Sequence, residues 1–434
     1  MKKLLLISYY FPPCGGASVQ RWLKLIRYLP DYGWQPTVLT TSEGDYPVLD
    51  SSLCKKIPNT IKVIRTKTPA VGKILNLFKN KKERPYPYGS LQAREDDSLT
   101  KKALYWIRLN LIVPDSRVIW NKTAYHFALQ ELRKKKYDLV VTTGPPHSTH
   151  LVALELRKHF PIKWIADFRD PWTKIYYLQE LRQNKMLLRL NQKLEKSVLR
   201  KAQLNIIISE RIADSLPPGK KHILPNGFDP EDYFNINTVP SSFFRVKFVG
   251  KQTEGQDIKT PLKWLNELSK EQSSLDIEFS FIGTHSAVSD YKRDYPNLHV
   301  RNIGFITHLR AISEMVNADL LLLLINNCPD NKGILTTKLF EYLGSRTYII
   351  GLGPVAGDAA EILNECHAGK MIDYGDRQGF FAIVRNIYRE WHKGKSIKNK
   401  KDISKYSTPS QAKDLSLLFE QLASENADHD GSGG

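Results

Sequence analysis

Five short stretches carry side chains able to handle anions and hydroxyl groups. Asp167, Arg169 and Asp170 crowd into ADFRDPW (166–172), directly after an apolar run. Charges packed there are tolerable only if they pair with each other or meet a ligand. An arginine fork in such a place suits a phosphate or a carboxylate, and a purely structural ion cluster would look the same. His147, in TTGPPHSTH (142–150), puts a titratable ring after a second apolar run, within reach of a ligand. Together with Ser148 it equally suits the cap of a helix starting near Ser148. Gly15 and Gly16 follow a third run and precede a helical stretch. Adjacent glycines let the backbone approach a ligand and leave helix N–H groups open to an anion, although a plain turn uses the same pair. The pattern is not GxGxxG and no clear acidic residue closes the next strand, so a dinucleotide site is poorly supported. Lys338 and Glu341 stand three apart in KGILTTKLFEYLG (332–344), on one helical face. A lysine there suits phosphate oxygens and the glutamate suits a diol, but the spacing is also common in surface pairs. Lys251 and Lys259 flank another loop, where they either neutralise a phosphate-bearing group or face solvent.

The elements that must position these residues repeat. Apolar runs at 4–7, 37–39, 62–65, 139–142, 164–166, 204–208 and 222–224 read as strands. A second series follows at 246–249, 278–282, 298–300, 319–324, 348–350 and 370–372. Unalternated apolar strands separated by helical stretches indicate parallel sheets covered on both faces. Helices are expected at 17–29, 260–270, 309–316, 337–343, 359–365 and 408–424. In the last of these Thr408 stands as cap, Pro409 at the first helical position and Gln411 at the reciprocal capping-box position. Ligands of open α/β sheets bind beyond the carboxyl ends of the strands, where the residues above collect.

Length and charge narrow the classes. At 434 residues the chain exceeds what one hydrophobic core normally serves, so two domains are expected. A net charge of +19 draws phosphate-bearing ligands, anionic lipid or nucleic acid. No base-reading module is visible, so nucleic acid is not expected as a partner. Cys14, Cys54, Cys328 and Cys366 have neither metal-site spacing nor a disulfide framework, which suits reduced thiols in the cytoplasm. The start MKKLLLIS lacks a sufficient apolar core for a signal peptide, and no run approaches the roughly 20 residues of a membrane span. Residues 68–116 form an insertion that the repeating units do not need. It mixes Leu75, Leu77, Phe78, Trp106, Leu109 and Leu111 with Lys73, Lys79, Lys81, Lys82, Lys101, Lys102 and Arg108. Such segments lie in an anionic lipid interface, and helices packed on a domain share the composition.

Taken in order, SYYFPPCGGASVQR (8–21), ADFRDPW, LPNGFDP (224–230), the Gly304-Phe305 turn and KLFEYLG (338–344) resemble glycosyltransferase family 4 over nearly the whole chain. The resemblance implies a GT-B fold, with two doubly wound Rossmann-like α/β domains facing across a cleft. The expected division is 1–235, 236–400, a helix at 401–426 returning to the first domain, and a disordered tail at 427–434. It also implies a nucleotide-diphosphate sugar as donor substrate, with no tightly bound cofactor and no metal. Lys338, Glu341, Lys251, Lys259, Gly15 and Gly16 are the binding candidates, while Arg169, Asp170 and His147 are the catalytic ones. Glu341 matches the second of the family's paired glutamates; the first falls at Gly333, so the contact to the donor sugar's hydroxyls departs from the pattern. Lys251 and Lys259 match the family's basic pair only loosely.

The activity so implied is retaining transfer to a glycan or lipid-linked acceptor, in cell-surface polysaccharide or glycolipid synthesis. The location is cytoplasmic, with peripheral attachment to the inner face of the cell membrane as a further expectation. Two other readings stay open: a nucleotide-sugar epimerase, and a catalytically silent phosphate-binding scaffold at a membrane.

Overall fold

The computed structural model describes residues 1–68, 112–175, 184–253, 255–272, 275–283, 291–395 and 397–425. Most of the 68–116 insertion and the 427–434 tail lie outside them. The chain divides into two compact units, Met1–Pro225 with Pro409–Gly434, and Asn226–Thr408.

Unit 1 is built on a seven-stranded parallel sheet. Its strands are β1 (Lys2–Ile7), β2 (Trp34–Thr41), β3 (Lys62–Thr66), β4 (Leu139–Gly144), β5 (Trp164–Phe168), β6 (Leu204–Ile207) and β7 (Lys221–Ile223), in the order 3-2-1-4-5-6-7. The central strands β1, β4 and β5 are buried from Leu4, Leu139 and Trp164 to their carboxyl ends, as a doubly covered sheet requires. Helices α1 (Ala17–Tyr28), α2 (Val118–Lys134), α3 (Thr149–Leu156), α4 (Lys185–Lys201) and α5 (Glu210–Ser215) fall between the strands. Sheet order reverses direction between β1 and β4, so their carboxyl ends mark the switch point at which such sheets bind ligands.

Unit 2 has six parallel strands. They are β8 (Phe244–Val249), β9 (Ile277–Ile282), β10 (His299–Gly304), β11 (Leu320–Leu324), β12 (Ile349–Leu352) and β13 (Gly369–Ile372), ordered 10-9-8-11-12-13. The switch point lies between β8 and β11. Helices α6 (Lys259–Glu271), α7 (Tyr291–Asp294), α8 (His308–Val316), α9 (Thr337–Ser345), α10 (Asp358–Glu365) and α11 (Arg377–His392) complete it. Its core gathers Phe244, Phe248, Phe279, Phe281, Leu322 and Phe380. In this unit two strands run beyond their expected ends. β10 continues to Gly304 and β12 to Leu352, because Gly351 and Leu352 pair with Met371 and Ile372 of β13.

The last helix, α12 (Thr408–Ser424), packs almost wholly in unit 1. Ala412, Leu415, Phe419 and Leu422 are buried, and the Phe419 ring meets Trp34 edge-on at 5.2 Å. Each large apolar side chain covered in this way stabilises the unit by about 1.5–3 kcal/mol. Gln411 donates to the Pro225 carbonyl, and the Thr408 hydroxyl donates to that of Phe228.

Candidate functional site

In unit 1, three loops leave the carboxyl ends of β1, β4 and β5 and are held together by buried polar contacts. Asp167, fully buried on β5, accepts from Trp22 Nε1 (2.6 Å) and Thr143 Oγ1 (2.8 Å), and pairs with Arg21 at 3.2 Å. Arg21 also donates to the carbonyls of Leu224 and Pro225. The Arg169 fork is spent on backbone. It donates to the carbonyls of Gly144, Ser18 and Pro145 at 2.5–3.0 Å. One side chain therefore fixes the β4 loop and the start of α1 to the end of β5. The phosphate-facing fork anticipated from sequence is not what these contacts describe.

Asp170, next along the chain, is only partly buried and makes no hydrogen bond among the described residues. Desolvation pushes its carboxyl up to about 6, against the pull of the neighbouring Arg169. His147 stands 5% exposed, stacked on Trp172 at 5.2 Å with a 6° interplanar angle. Burial, together with His150 and Arg169, holds the ring well below the usual histidine range, against a backbone contact at Pro171. His147 is thus a neutral, enclosed ring rather than an open one at a sheet edge. Nor does Ser148 cap α3 with its side chain: its N–H and hydroxyl both donate to Asp115. His150 is buried too, bonded to Thr142 and pushed down to about 3. A Cβ on Gly144 would lie 2.8 Å from both His147 Nδ1 and His150 Nε2, so the two rings close over a glycine-only position. Gly16, at φ +85°, precedes α1 with no neighbour near its missing Cβ, whereas Gly15 packs against Asp50 and Val48.

In unit 2 the candidates gather where β8 ends. Tyr342 of α9 is fully buried and uses its hydroxyl twice, accepting from Val249 N–H (2.9 Å) and donating to the Val249 carbonyl (3.1 Å). That clamp brings Lys338, one turn earlier, over the Phe248 ring at 4.1 Å, with its ammonium donating to the Lys251 carbonyl at 2.6 Å. Gly250 leaves room for it: a Cβ there would stand 2.6 Å from Lys338 Cε, and φ is +120°. Desolvation pulls the Lys338 ammonium down to about 7, Glu341 opposing and Lys251 adding to the shift. Lys251 is brought to the site through its carbonyl while its own side chain is exposed; Lys259, at the start of α6, is exposed as well.

Glu341 has partners that sequence reasoning missed. His308, first residue of α8, faces Glu341 Oε1 with Nδ1 at 3.7 Å and Asp232 Oδ2 with Nε2 at 3.0 Å. Tyr233 donates to the Glu341 backbone carbonyl at 2.7 Å. The DPEDY turn and α8 thereby orient a carboxylate that carries no internal signal of this in the sequence. Gly333, where the family pattern has its first glutamate, is buried in a short turn spanning Asn331–Gly333 and offers no side chain. Among the described residues, no group of three or more His, Cys, Asp or Glu is arranged to hold a metal ion.

Residues 15–232, half of the chain, match Glycosyltransferase Family 4. The chain belongs to this family. Its two Rossmann-like parallel sheets agree with the GT-B fold, and it is a nucleotide-sugar-dependent glycosyltransferase. Solved structures repeat the architecture at low identity. Sucrose-phosphate synthase from Thermosynechococcus elongatus is 14% identical with a TM-score of 0.64, covering 97% of this chain and 99% of that one. An E. coli trehalose-6-phosphate protein bound with UDP-2-fluoro glucose gives 11% and 0.55, covering 97% of each. An S. aureus TarM variant in complex with fondaparinux, alpha-GlcNAc-glycerol and UDP gives 10% and 0.58, over 96% and 100%. No curated protein sequence matches the chain.

For this glycosyltransferase the Arg169 contacts have a measurable consequence. Arg169→Lys keeps the charge and loses the fork, leaving buried carbonyls unsatisfied. Stability to denaturant should fall by about 1–3 kcal/mol. Nucleoside diphosphate affinity, read by calorimetry, should not change.

Proposed function

We propose that this enzyme transfers a glycosyl unit, with retention, from a nucleotide-diphosphate sugar to a glycan or lipid-linked acceptor in cell-surface polysaccharide or glycolipid synthesis. The observation that carries the donor assignment is the convergence at the end of β8. There a desolvated ammonium and an oriented carboxylate sit one helical turn apart beside a glycine turn. In this reading Lys338, with Lys251 and Lys259 from the stretch after β8, neutralises charge on the departing diphosphate, and Glu341 accepts from the ribose diol. Unit 1 takes the acceptor. Asp170 orients its hydroxyl and receives its proton; Arg169 positions the three loops through their carbonyls; the enclosed His147 ring shapes the wall; and Gly15-Gly16 lets backbone approach. Retention is supported by family membership. The departure at Gly333 moves recognition of the donor sugar's hydroxyls to other groups. The working place proposed is the cytoplasmic side of the cell membrane, and no described helix is long and apolar enough to cross one.

The experiment is a panel of uridine, guanosine and adenosine diphosphate sugars, offered with and without a lipid-phosphate acceptor fraction. UDP goes first, because structural neighbours hold UDP or a UDP-sugar. Acceptor-dependent release of nucleoside diphosphate, with an unchanged anomeric configuration by NMR, is the expected result. Interconversion of the sugar without acceptor would mean an epimerase, and binding without turnover on any acceptor would mean a silent scaffold.

A further inference from the structure

Helix α4 carries a surface that neither the core nor the site uses. Its inward face is Asn191, Glu195, Val198 and Leu199, all buried. Lys185, Arg189, Lys193, Lys196 and Arg200 recur at helical spacing and form one exposed stripe on another side. None of the five makes an ion pair among the described residues. The helix's single carboxylate, Glu195, points inward, where it accepts from the backbone and hydroxyl of Thr173. Beside the cations runs a second exposed row, in which Met186 is 76% and Leu190 44% accessible, with Leu187 and Leu194 partly buried along the same edge.

We infer that this face of α4 docks the enzyme on an anionic lipid surface, with the cationic stripe at the headgroups and Met186 and Leu190 entering the interface. Charge complementarity selects a polyanionic partner, since five cations with no ion pair among the described residues stand on one stripe with no acid among them. The apolar row decides between polyanions: a bilayer interface gives Met186 and Leu190 somewhere to go, and a nucleic acid backbone does not. The inference rests on α4 alone and needs neither the donor nor the acceptor assignment.

The test is co-sedimentation of the full chain with vesicles of phosphatidylcholine alone and of phosphatidylcholine mixed with phosphatidylglycerol, over a salt series. Wild type is compared with Lys185→Ser/Arg189→Ser/Lys193→Ser and with Met186→Ser/Leu190→Ser, each checked for an unchanged melting curve and nucleoside diphosphate affinity. Wild type should prefer the anionic vesicles and lose binding as salt rises, because screening shortens the reach of the stripe. Each cation near the surface contributes about fivefold, so the triple variant should bind on the order of 100-fold more weakly. The double variant should lose the part of binding that survives high salt. Equal binding to both vesicle types, unchanged binding of the triple variant, or preference for an RNA homopolymer that the double variant retains would each overturn the inference. Since vesicle binding is read without donor or acceptor, a failed transfer assay leaves the result interpretable.

Discussion

Asp170→Asn should lower turnover with the natural acceptor by about 10²–10⁴-fold, the range for loss of a positioned proton acceptor, and leave nucleoside diphosphate affinity as it was. Of the two carboxylates in ADFRD, Asp167 is tied by Trp22, Thr143 and Arg21, whereas Asp170 accepts no hydrogen bond among the described residues and feels only the charge of Arg169. Its carboxyl, raised by desolvation to about 6, is ionised at neutral pH yet more basic than an ordinary aspartate. The acid limb of kcat/KM should accordingly fall away below about pH 6 in wild type and be missing in the asparagine variant. Stability moves the other way. A carboxyl whose folded pKa lies above its unfolded value binds more protons in the folded state, so folding loses stability as pH rises between about 4 and 6. At pH 7.5 the asparagine variant should therefore melt higher than wild type while turning over far more slowly. Retained turnover in the variant would move Asp170 to a structural role.

The second large effect belongs to the donor side. Lys338→Met and Glu341→Gln should each weaken nucleoside diphosphate binding by about 10- to 150-fold, equivalent to losing one charge-assisted contact of about 1.5–3 kcal/mol. Lys338 supplies a finer signature. Its ammonium sits near 7 in the free enzyme, so above that pH a proton must be taken up when the diphosphate binds. Wild-type affinity should decline as pH rises from 7 to 9, and calorimetry in buffers of different ionisation enthalpy should register the uptake. Lys338→Met should lack both. Unchanged affinity in the Met and Gln variants would remove the donor site from the end of β8. His308→Ala tests how Glu341 is oriented. If the Asp232–His308–Glu341 arrangement holds that carboxylate in place, the variant should lose several-fold in affinity, with His308→Gln recovering part of it.

The two sheets are legible in sequence because runs such as Leu4–Ile7 and Leu320–Leu324 can be buried only by cover on both faces. The site is legible in residue type but not in geometry. Arg169 announces a buried cation, yet the carbonyls it serves lie 25, 24 and 151 residues away, where no local pattern points to them. His147 reads as accessible because nothing in TTGPPHSTH shows that Trp172 will stack on it. His308 escapes notice because Asp232 and Glu341 reach it from separate elements. Lys338 and Glu341 are found because helical spacing is a local property.

Helix α12 gives the chain an order of events in biosynthesis. The seven strands of unit 1 leave the ribosome before unit 2, yet their Trp34 is covered by Phe419, made after the whole of unit 2. Until then a nascent unit 1 has an open apolar face where Ala412, Leu415, Phe419 and Leu422 will lie. Folding domain by domain during translation is thus interrupted, and the half-finished chain presents a surface that chaperones bind. A fragment ending at Pro225 keeps all seven strands of the first sheet but lacks this cover, so expressing it alone should yield aggregate, and supplying residues 409–425 as a peptide in trans should restore solubility.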